Sequence, residues 1–202
     1  MSATGYGWWA SATISCERLT MAGQCPMIRD CRPSDLEAVR ELYALEVLEG
    51  TASFEIEPPD LADMTARWQT VVAAGLPYLV AEIDGRLAGF AYAGRYRPRP
   101  GYRHTCEDSV YVARWTRRQG VGRALLDVAI QGATAQGMRQ MIAIVGDSAH
   151  LPSIALHRRA GFHTVGVLEN VGLKFGRWLD TVILQRPLGE GATSIPAVAP
   201  PG

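Results

Sequence analysis

No stretch of this 202-residue chain approaches the roughly 20 consecutive apolar residues needed to cross a bilayer. The first residues include Trp8 and Trp9, but lack the basic start and long apolar run of a secretory signal. Charge of one sign is also missing, since 20 Lys and Arg balance 20 Asp and Glu. That balance removes the electrostatic case for a nucleic-acid or anionic-membrane partner and leaves a small molecule, read by local charge. Cysteine is scarce. Cys16, Cys25, Cys31 and Cys106 show no short paired spacing of the zinc or redox kind, so no metal is expected. Reduced thiols in a cytoplasm are the expectation.

What is present is an ordered alternation of strand and helix signals in a chain long enough for one sizeable core. Residues 1–26 are rich in Gly, Ser, Thr and Ala without a period and read as a disordered extension, with Met27-Ile28-Arg29 a natural beginning. Residues 189–202, rich in Gly, Pro and Ala, read as a disordered tail, which leaves 27–188 as the domain. Met27 to Cys31 is an expected strand. Ser34-Asp35-Leu36-Glu37 has the form of a capping box, with Leu36, Val39, Leu42 and Tyr43 on one helical face. A second helix is expected from Asp60, with Leu61, Met64, Trp68, Val71 and Val72 as its stripe and Gly75 at its close. Tyr78 to Ile83 and Leu87 to Gly94 are strands joined by Asp84-Gly85, a strong hairpin signal. Then follow a strand from Glu107 to Val112, a helix from Gly120 to near Gly137, a strand from Met141 to Val145 and a helix from Ser153 to Ala160 stopped by Gly161. Phe162 to Leu168 and Thr181 to Gln185 complete an α/β (α+β) fold with a mixed, mostly antiparallel sheet of about seven strands flanked by helices.

The run Arg117-Arg118-Gln119-Gly120-Val121-Gly122-Arg123 joins the strand ending at Val112 to an apolar-striped helix. A helix N-terminus leaves N–H groups unpaired and carries partial positive charge, which makes it a ready anion site. Taken alone, the glycines also suit a tight loop with solvated arginines; the flanking strand and helix favour a bound phosphate. A P-loop is excluded, because no Gly-x-x-x-x-Gly-Lys-Ser/Thr run exists. A dinucleotide fingerprint is excluded too, because no third glycine follows Gly120 and Gly122 at the required spacing.

The same loop resembles the coenzyme A pyrophosphate loop of GNAT-type N-acetyltransferases. Three further segments match in order: Arg97-Pro98-Arg99-Pro100-Gly101-Tyr102-Arg103 leading into Glu107-Asp108-Ser109-Val110-Tyr111-Val112; Gly146-Asp147-Ser148-Ala149-His150 through Gly161-Phe162; and Lys174-Phe175-Gly176-Arg177-Trp178-Leu179-Asp180. Together they resemble the phosphinothricin and methionine sulfoximine N-acetyltransferase branch, over about Met27 to Pro187. The resemblance implies the GNAT fold, acetyl-CoA as cosubstrate, no metal, a small amino-acid-like acceptor and a homodimer. Val171-Gly172-Leu173 and Trp178-Leu179 are candidates for the interface.

The resemblance also implies roles for residues. An amine must lose a proton before it attacks a thioester, and Glu107 stands where branch members carry the carboxylate that serves as base. Pattern alone favours a strand-end carboxylate facing solvent or pairing with Arg103; the motif match turns Glu107 toward catalysis. Backbone N–H groups of Val110, Tyr111 and Val112 would line a splayed strand and pair with the pantetheine arm, as an added strand would. The pyrophosphate would fall to Arg117, Arg118, Gln119, Gly120, Val121, Gly122 and Arg123. Ser153 and His150 would lie along the arm. At His150 the branch usually carries Asn, so this residue is either a cofactor contact or a surface-loop histidine. His157 would assist the departing thiolate, or else be a packed helix residue. Arg97, Arg99 and Arg103 would grip the acidic groups of the acceptor, and Phe54 would cover it or anchor its loop. Two other readings stay open: acetylation of a peptide N-terminus or polyamine, and a silent acyl-CoA-binding sensor.

Overall fold

The computed structural model describes residues 25–196. The expected N-terminal extension therefore lies outside the described residues except for its last two positions. The elements are β1 (Met27–Asp30), α1 (Leu36–Glu49), α2 (Leu61–Ala73), β2 (Tyr78–Ile83), β3 (Arg86–Arg95), β4 (Thr105–Val112), α3 (Val121–Ala135), β5 (Gln140–Gly146), α4 (Leu151–Arg159), β6 (His163–Lys174) and β7 (Arg177–Pro187). One sheet orders them β1-β2-β3-β4-β5-β7-β6. Every pairing is antiparallel except β4 with β5, and that pair needs a crossover, which α3 supplies.

Local chemistry explains most boundaries. Asp84 and Gly85 both take positive φ, 52° and 74°, as a two-residue hairpin turn requires. Asp60 caps α2 by accepting from the Asp63 N–H at 2.8 Å. Gly75, at φ 71°, closes the same helix with paired bonds from Gly75 N to Val72 O and from Leu76 N to Val71 O. The start of α1 differs from expectation. Pro33 opens a 3₁₀ turn one residue earlier, so the reaching carboxylate is Asp35, which accepts from the Arg32 N–H at 2.7 Å. Glu37 pairs instead with Arg40 at 2.5 Å. Strands β6 and β7 are also longer than expected, because Phe175 and Gly176 both adopt positive φ and close a hairpin that their sequence does not advertise.

The core lies on both faces of the sheet. On one face Val121, Leu125 and Ala129 of α3 pack against Leu79, Ala81 and Ala91. On the other, Leu36, Val39, Tyr43 and Val47 of α1 join Met64 and Val71 of α2 over Val80 and Phe90. The expected α2 stripe is narrower than its pattern, since Val72 is exposed. Cys31 and Cys106 are buried free thiols that burial pushes up to about 12, which silences them as nucleophiles. Cys25 is disulfide-bonded, against the expectation of reduced thiols; it is exposed ahead of β1, where no core packing isolates it. Among residues 189–196, Gly189 and Gly191 form a turn and Glu190 pairs with Arg139 at 3.0 Å.

Gly89 of β3 lies where α3 crosses the sheet. A Cβ there would stand 2.7 Å from the Tyr111 carbonyl oxygen and 3.1 Å from the Leu125 side chain. Gly89→Ala should therefore destabilise the fold by about 1–3 kcal/mol through overpacking, read as a lower urea midpoint at unchanged slope.

Candidate functional site

Pairing between β4 and β5 stops at Asp108–Ala143, although β4 continues to Val112 and β5 to Gly146. Beyond that point β4 stays with β3 and β5 with β7, so a wedge opens between them. The Ala113 N–H bonds to Ala88 O at 2.9 Å, which fixes the alternation along β4. Backbone groups of Tyr111 and Ser109 turn to β3, while those of Val110 and Val112 face the wedge. The Tyr111 ring is packed 5.1 Å from Tyr43 and 4.9 Å from Phe90. The wedge is a small cleft walled by Ser109, Val110, Ile144, Gly146, His150 and His157.

The glycine loop opens at one end of this cleft. Gly120, at φ 84°, precedes α3 and offers no side-chain cap, so the N–H groups of Val121, Gly122 and Arg123 have no acceptor within the helix. Val121 itself is core, and only its backbone is available. Gly122 faces inward: a Cβ would meet Val112 at 3.1 Å and Leu156 at 3.5 Å. Its bareness thus lets α3 sit against β4 and α4. Two loop arginines are already engaged, Arg117 with Glu46 at 2.5 Å and Arg123 with Asp127 at 2.6 Å and the Arg159 carbonyl at 2.8 Å. Gln119 donates to Trp115 O at 2.9 Å. Arg118 is exposed at φ 64° and, among the described residues, makes no ion pair or side-chain hydrogen bond.

Successive β4 side chains point to opposite faces. Glu107, opposite Gly94, lies on the face beneath α1 and α2; Asp108, opposite Ala93, lies on the α4 face. Burial, reinforced by the Asp108 charge and opposed by Arg97, pushes the Glu107 carboxyl up to about 6. Asp108 Oδ2 stands 2.9 Å from His157 Nε2, and the other His157 nitrogen, Nδ1, lies 2.8 Å from the Ser153 carbonyl. Burial works against a charged His157, yet the bond to Asp108 and its charge outweigh it and raise the histidine above its ordinary range. His150 caps nothing with its side chain, is half-buried, and has a buried Nδ1 without a partner. Burial lowers its basicity, with Arg117 adding to that effect and Glu46 opposing it.

On the Glu107 face, a cavity of about 370 Å³ lies between α1, α2 and β3, lined by Tyr43, Arg67, Tyr92, Gly94 and Arg95. Arg67 pairs with Glu55 at 2.7 Å, and the Tyr43 hydroxyl bonds to Glu55 at 3.0 Å. The loop between α1 and α2 crosses toward the cleft. Phe54 rests on Gly146 and Gly172, where no Cβ would fit, and Lys174 Nζ donates to Ser53 O at 2.6 Å. Arg97 stacks 4.9 Å from the Tyr96 ring centroid, within electrostatic reach of Glu107. Arg103 donates to His104 Nε2 at 3.2 Å, and Arg99 is exposed. The structure thus gathers Val110, His150, Ser153 and His157 around one cleft, sets Glu107 on the other face of β4, and leaves Arg99 and Arg103 on the loop before it.

A splayed parallel pair with an uncapped helix behind a glycine loop can seat an extended, phosphate-bearing acyl carrier. Known proteins share this architecture. The model of the acetyltransferase (GNAT) domain matches residues 28–183. The chain belongs to the GNAT acetyltransferase family. It is 54% identical over 169 residues to phosphinothricin N-acetyltransferase of Alcaligenes faecalis, covering 84% of this chain and 86% of that protein. It is 42% identical to L-methionine sulfoximine/L-methionine sulfone acetyltransferase of Pseudomonas aeruginosa, over 78% of this chain and 92% of the relative. Its fold superposes, with a TM-score of 0.83 and 43% identity, on the crystal structure of a GNAT superfamily phosphinothricin acetyltransferase from Sinorhizobium meliloti in complex with AcCoA, over 87% of this chain and 96% of that one. The protein is therefore an acetyl-CoA-dependent N-acetyltransferase, and the orphan N–H groups of the α3 start fit the coenzyme's phosphates.

Sequence reasoning left out several residues that pack beside the cleft and the cavity. Asp108 carried one visible signal, a second acid directly after Glu107 that strand alternation must send to the other face. Arg67, Glu55 and Tyr43 carried none, because they meet only after two helices pack.

Gly122→Val would drive a branched side chain into Val112 and Leu156 and displace the α3 start. It should raise the acetyl-CoA dissociation constant at least tenfold, equivalent to about 1.4 kcal/mol. Calorimetric titration of the folded variant checks this, and an unchanged constant would overturn the assignment of the loop.

Proposed function

We propose that this N-acetyltransferase moves the acetyl group of acetyl-CoA to the α-amino group of a small amino acid whose side chain ends in a tetrahedral polar head. Phosphinothricin and methionine sulfoximine are the kind of acceptor meant. The observation that carries this reading is Glu107, half-buried on β4 just before the strand parts from β5, on the sheet face that also bears the Tyr43–Arg67–Tyr92 cavity. A carboxyl raised to about 6 is ionised at neutral pH and basic enough to take a proton from an ammonium acceptor. A silent sensor has no use for such a group. A polyamine acceptor is disfavoured by Arg95 in the wall of that cavity and by Arg97 within electrostatic reach of Glu107. The identity to relatives named for phosphinothricin and methionine sulfoximine supports the amino-acid class.

Acetyl-CoA supplies an acyl group with a good leaving thiolate. The chain's own residues bind and orient it. Val110 and Val112 offer N–H groups to the wedge, Arg118 and the α3 start offer donors to phosphate, and His150 Nδ1 lies buried beside the cleft. Phe54 closes the acceptor side over Gly146 and Gly172. Assembly as a homodimer in the cytoplasm completes the proposal. Edge strand β6 exposes Val165, Val167, Val171 and Leu173, with Phe175 and Trp178 beside them, an apolar face that suits a second copy of the chain. Leu179, by contrast, is core.

Glu107→Gln keeps size but loses the base, and should lower kcat by about 10²–10⁴ at pH 7. In the wild type, kcat/KM should fall as pH drops through about 6, where Glu107 takes up its proton. The variant should lack that limb. A wild-type kcat with an unaltered profile in Glu107→Gln would remove Glu107 from the chemistry.

Arg97→Ala should raise the acceptor KM severalfold and leave that of acetyl-CoA alone. If an acceptor panel shows peptide N-termini or polyamines used a hundredfold better than phosphinothricin or methionine sulfoximine, the acceptor class is wrong while acetyl transfer stands.

A further inference from the structure

Asp108 is almost completely buried, its side chain 1% exposed, and points away from the acceptor cavity. A carboxylate in that position is costly unless paired. Its surroundings on the α4 face are otherwise apolar or weakly polar. β3 contributes Ala93 and β5 contributes Ala143, and the Phe162 ring stands edge-on to His157 at 5.2 Å between centroids. The titratable groups near the pair are Glu107 and Cys106 on β4 itself, both of which feel the Asp108 charge. From α4 comes His157 alone. Only one oxygen of Asp108 is satisfied, since Oδ1 is buried without a partner.

The hydrogen-bond geometry constrains the protons. The Ser153 carbonyl is purely an acceptor, so His157 Nδ1 at 2.8 Å must carry hydrogen. Nε2 at 2.9 Å from Asp108 Oδ2 then needs one more proton on one side or the other. His157 also lies in the last turn of α4, where the negative end of the helix dipole favours a cation. We propose that Asp108 is a positioning residue that keeps this second proton on His157 Nε2, so that a fixed imidazolium forms one wall of the cleft. This rests on the acetyl-transfer reading for its purpose: the imidazolium offers positive charge to the thiolate that develops as acetyl leaves. With both N–H groups held inside the protein, His157 acts by charge and not by surrendering a mobile proton. Asp108 has a second effect across the strand, since its charge helps hold Glu107 basic.

Asp108→Asn is the test, because Asn matches the shape and can donate to a neutral Nε2. Long-range ¹H–¹⁵N NMR of the wild-type protein at pH 7 should show both His157 nitrogens protonated. In Asp108→Asn the ring should be neutral with hydrogen on Nδ1, titrating about one pH unit lower or more. With acetyl-CoA and an accepted amino acid, kcat should fall at least tenfold, the acetyl-CoA KM should stay within about twofold, and the acid limb of kcat/KM should move to lower pH. A merely structural role for Asp108 would leave that limb in place. A neutral His157 in the wild type, a charged one in Asp108→Asn, or a variant with wild-type kcat and pH profile would each overturn the proposal. Should Asp108→Asn not fold, the wild-type titration decides by itself. Should the wild type release no thiol with any amine while His157 is charged, the acetyl-transfer reading falls and Asp108's hold on the proton stands.

Discussion

The site depends on a failure of pairing. β4 and β5 run parallel for four residue pairs, from Thr105–Gln140 to Asp108–Ala143, and then part. Each strand is committed on its outer side, β4 to β3 as far as Val112 and β5 to β7 as far as Gly146. The gap is therefore held open by ladders that would have to break for it to close. Both strands also lead at that end into helices, α3 and α4, whose starts flank the opening. Ligands of sheets with parallel strands gather at the carboxyl ends for this reason: unpaired backbone and positive helix ends converge there. The crossover through α3 is thus the source of the binding cleft as well as a connection.

Strand alternation then divides the chemistry. Glu107 and Asp108 are neighbours in the chain, yet one lies on the face beneath α1 and α2 and the other faces α4. Their carboxyl groups lie close enough for one to raise the other, and the sheet between them excludes the water that would screen the effect. The arrangement is poor for stability, since an unpartnered buried acceptor such as Asp108 Oδ1 costs about 1–3 kcal/mol. Polar groups held at that cost inside a cleft are characteristic of function more than of folding.

Much of the fold was legible because its signals are local. Asp84-Gly85, the Asp60 cap and the Gly75 stop each encode a boundary within a few residues, and each forms as expected. The α1 cap moved because Pro33 outranks Ser34 in starting a turn, and the Phe175-Gly176 hairpin was hidden because phenylalanine rarely accepts positive φ. At the candidate site, the sequence reveals position along a strand or loop, as for Glu107 on β4 and Gly120 before α3. What could not be read were pairings between distant segments. Arg117 spends its charge on Glu46, Arg123 on Asp127 and the end of α4, and His157 on Asp108. Three arginines in the sequence thus leave Arg118 as the loop's unengaged guanidinium among the described residues.

The loop between α1 and α2 ties the cleft to both helices above the sheet. Ala52 reaches the cleft wall, Ser53 O is held by Lys174 of β6, Phe54 rests on bare glycines of β5 and β6, and Glu55 ties Tyr43 of α1 to Arg67 of α2. Its four consecutive residues therefore contact four different elements, and none of them belongs to the glycine loop or to the wedge-facing backbone of β4. Arg67 is paired with Glu55 in this arrangement, which leaves Arg95 as the second guanidinium lining the cavity. One short loop thus couples α1, α2 and the β5–β6 side of the sheet without touching the start of α3.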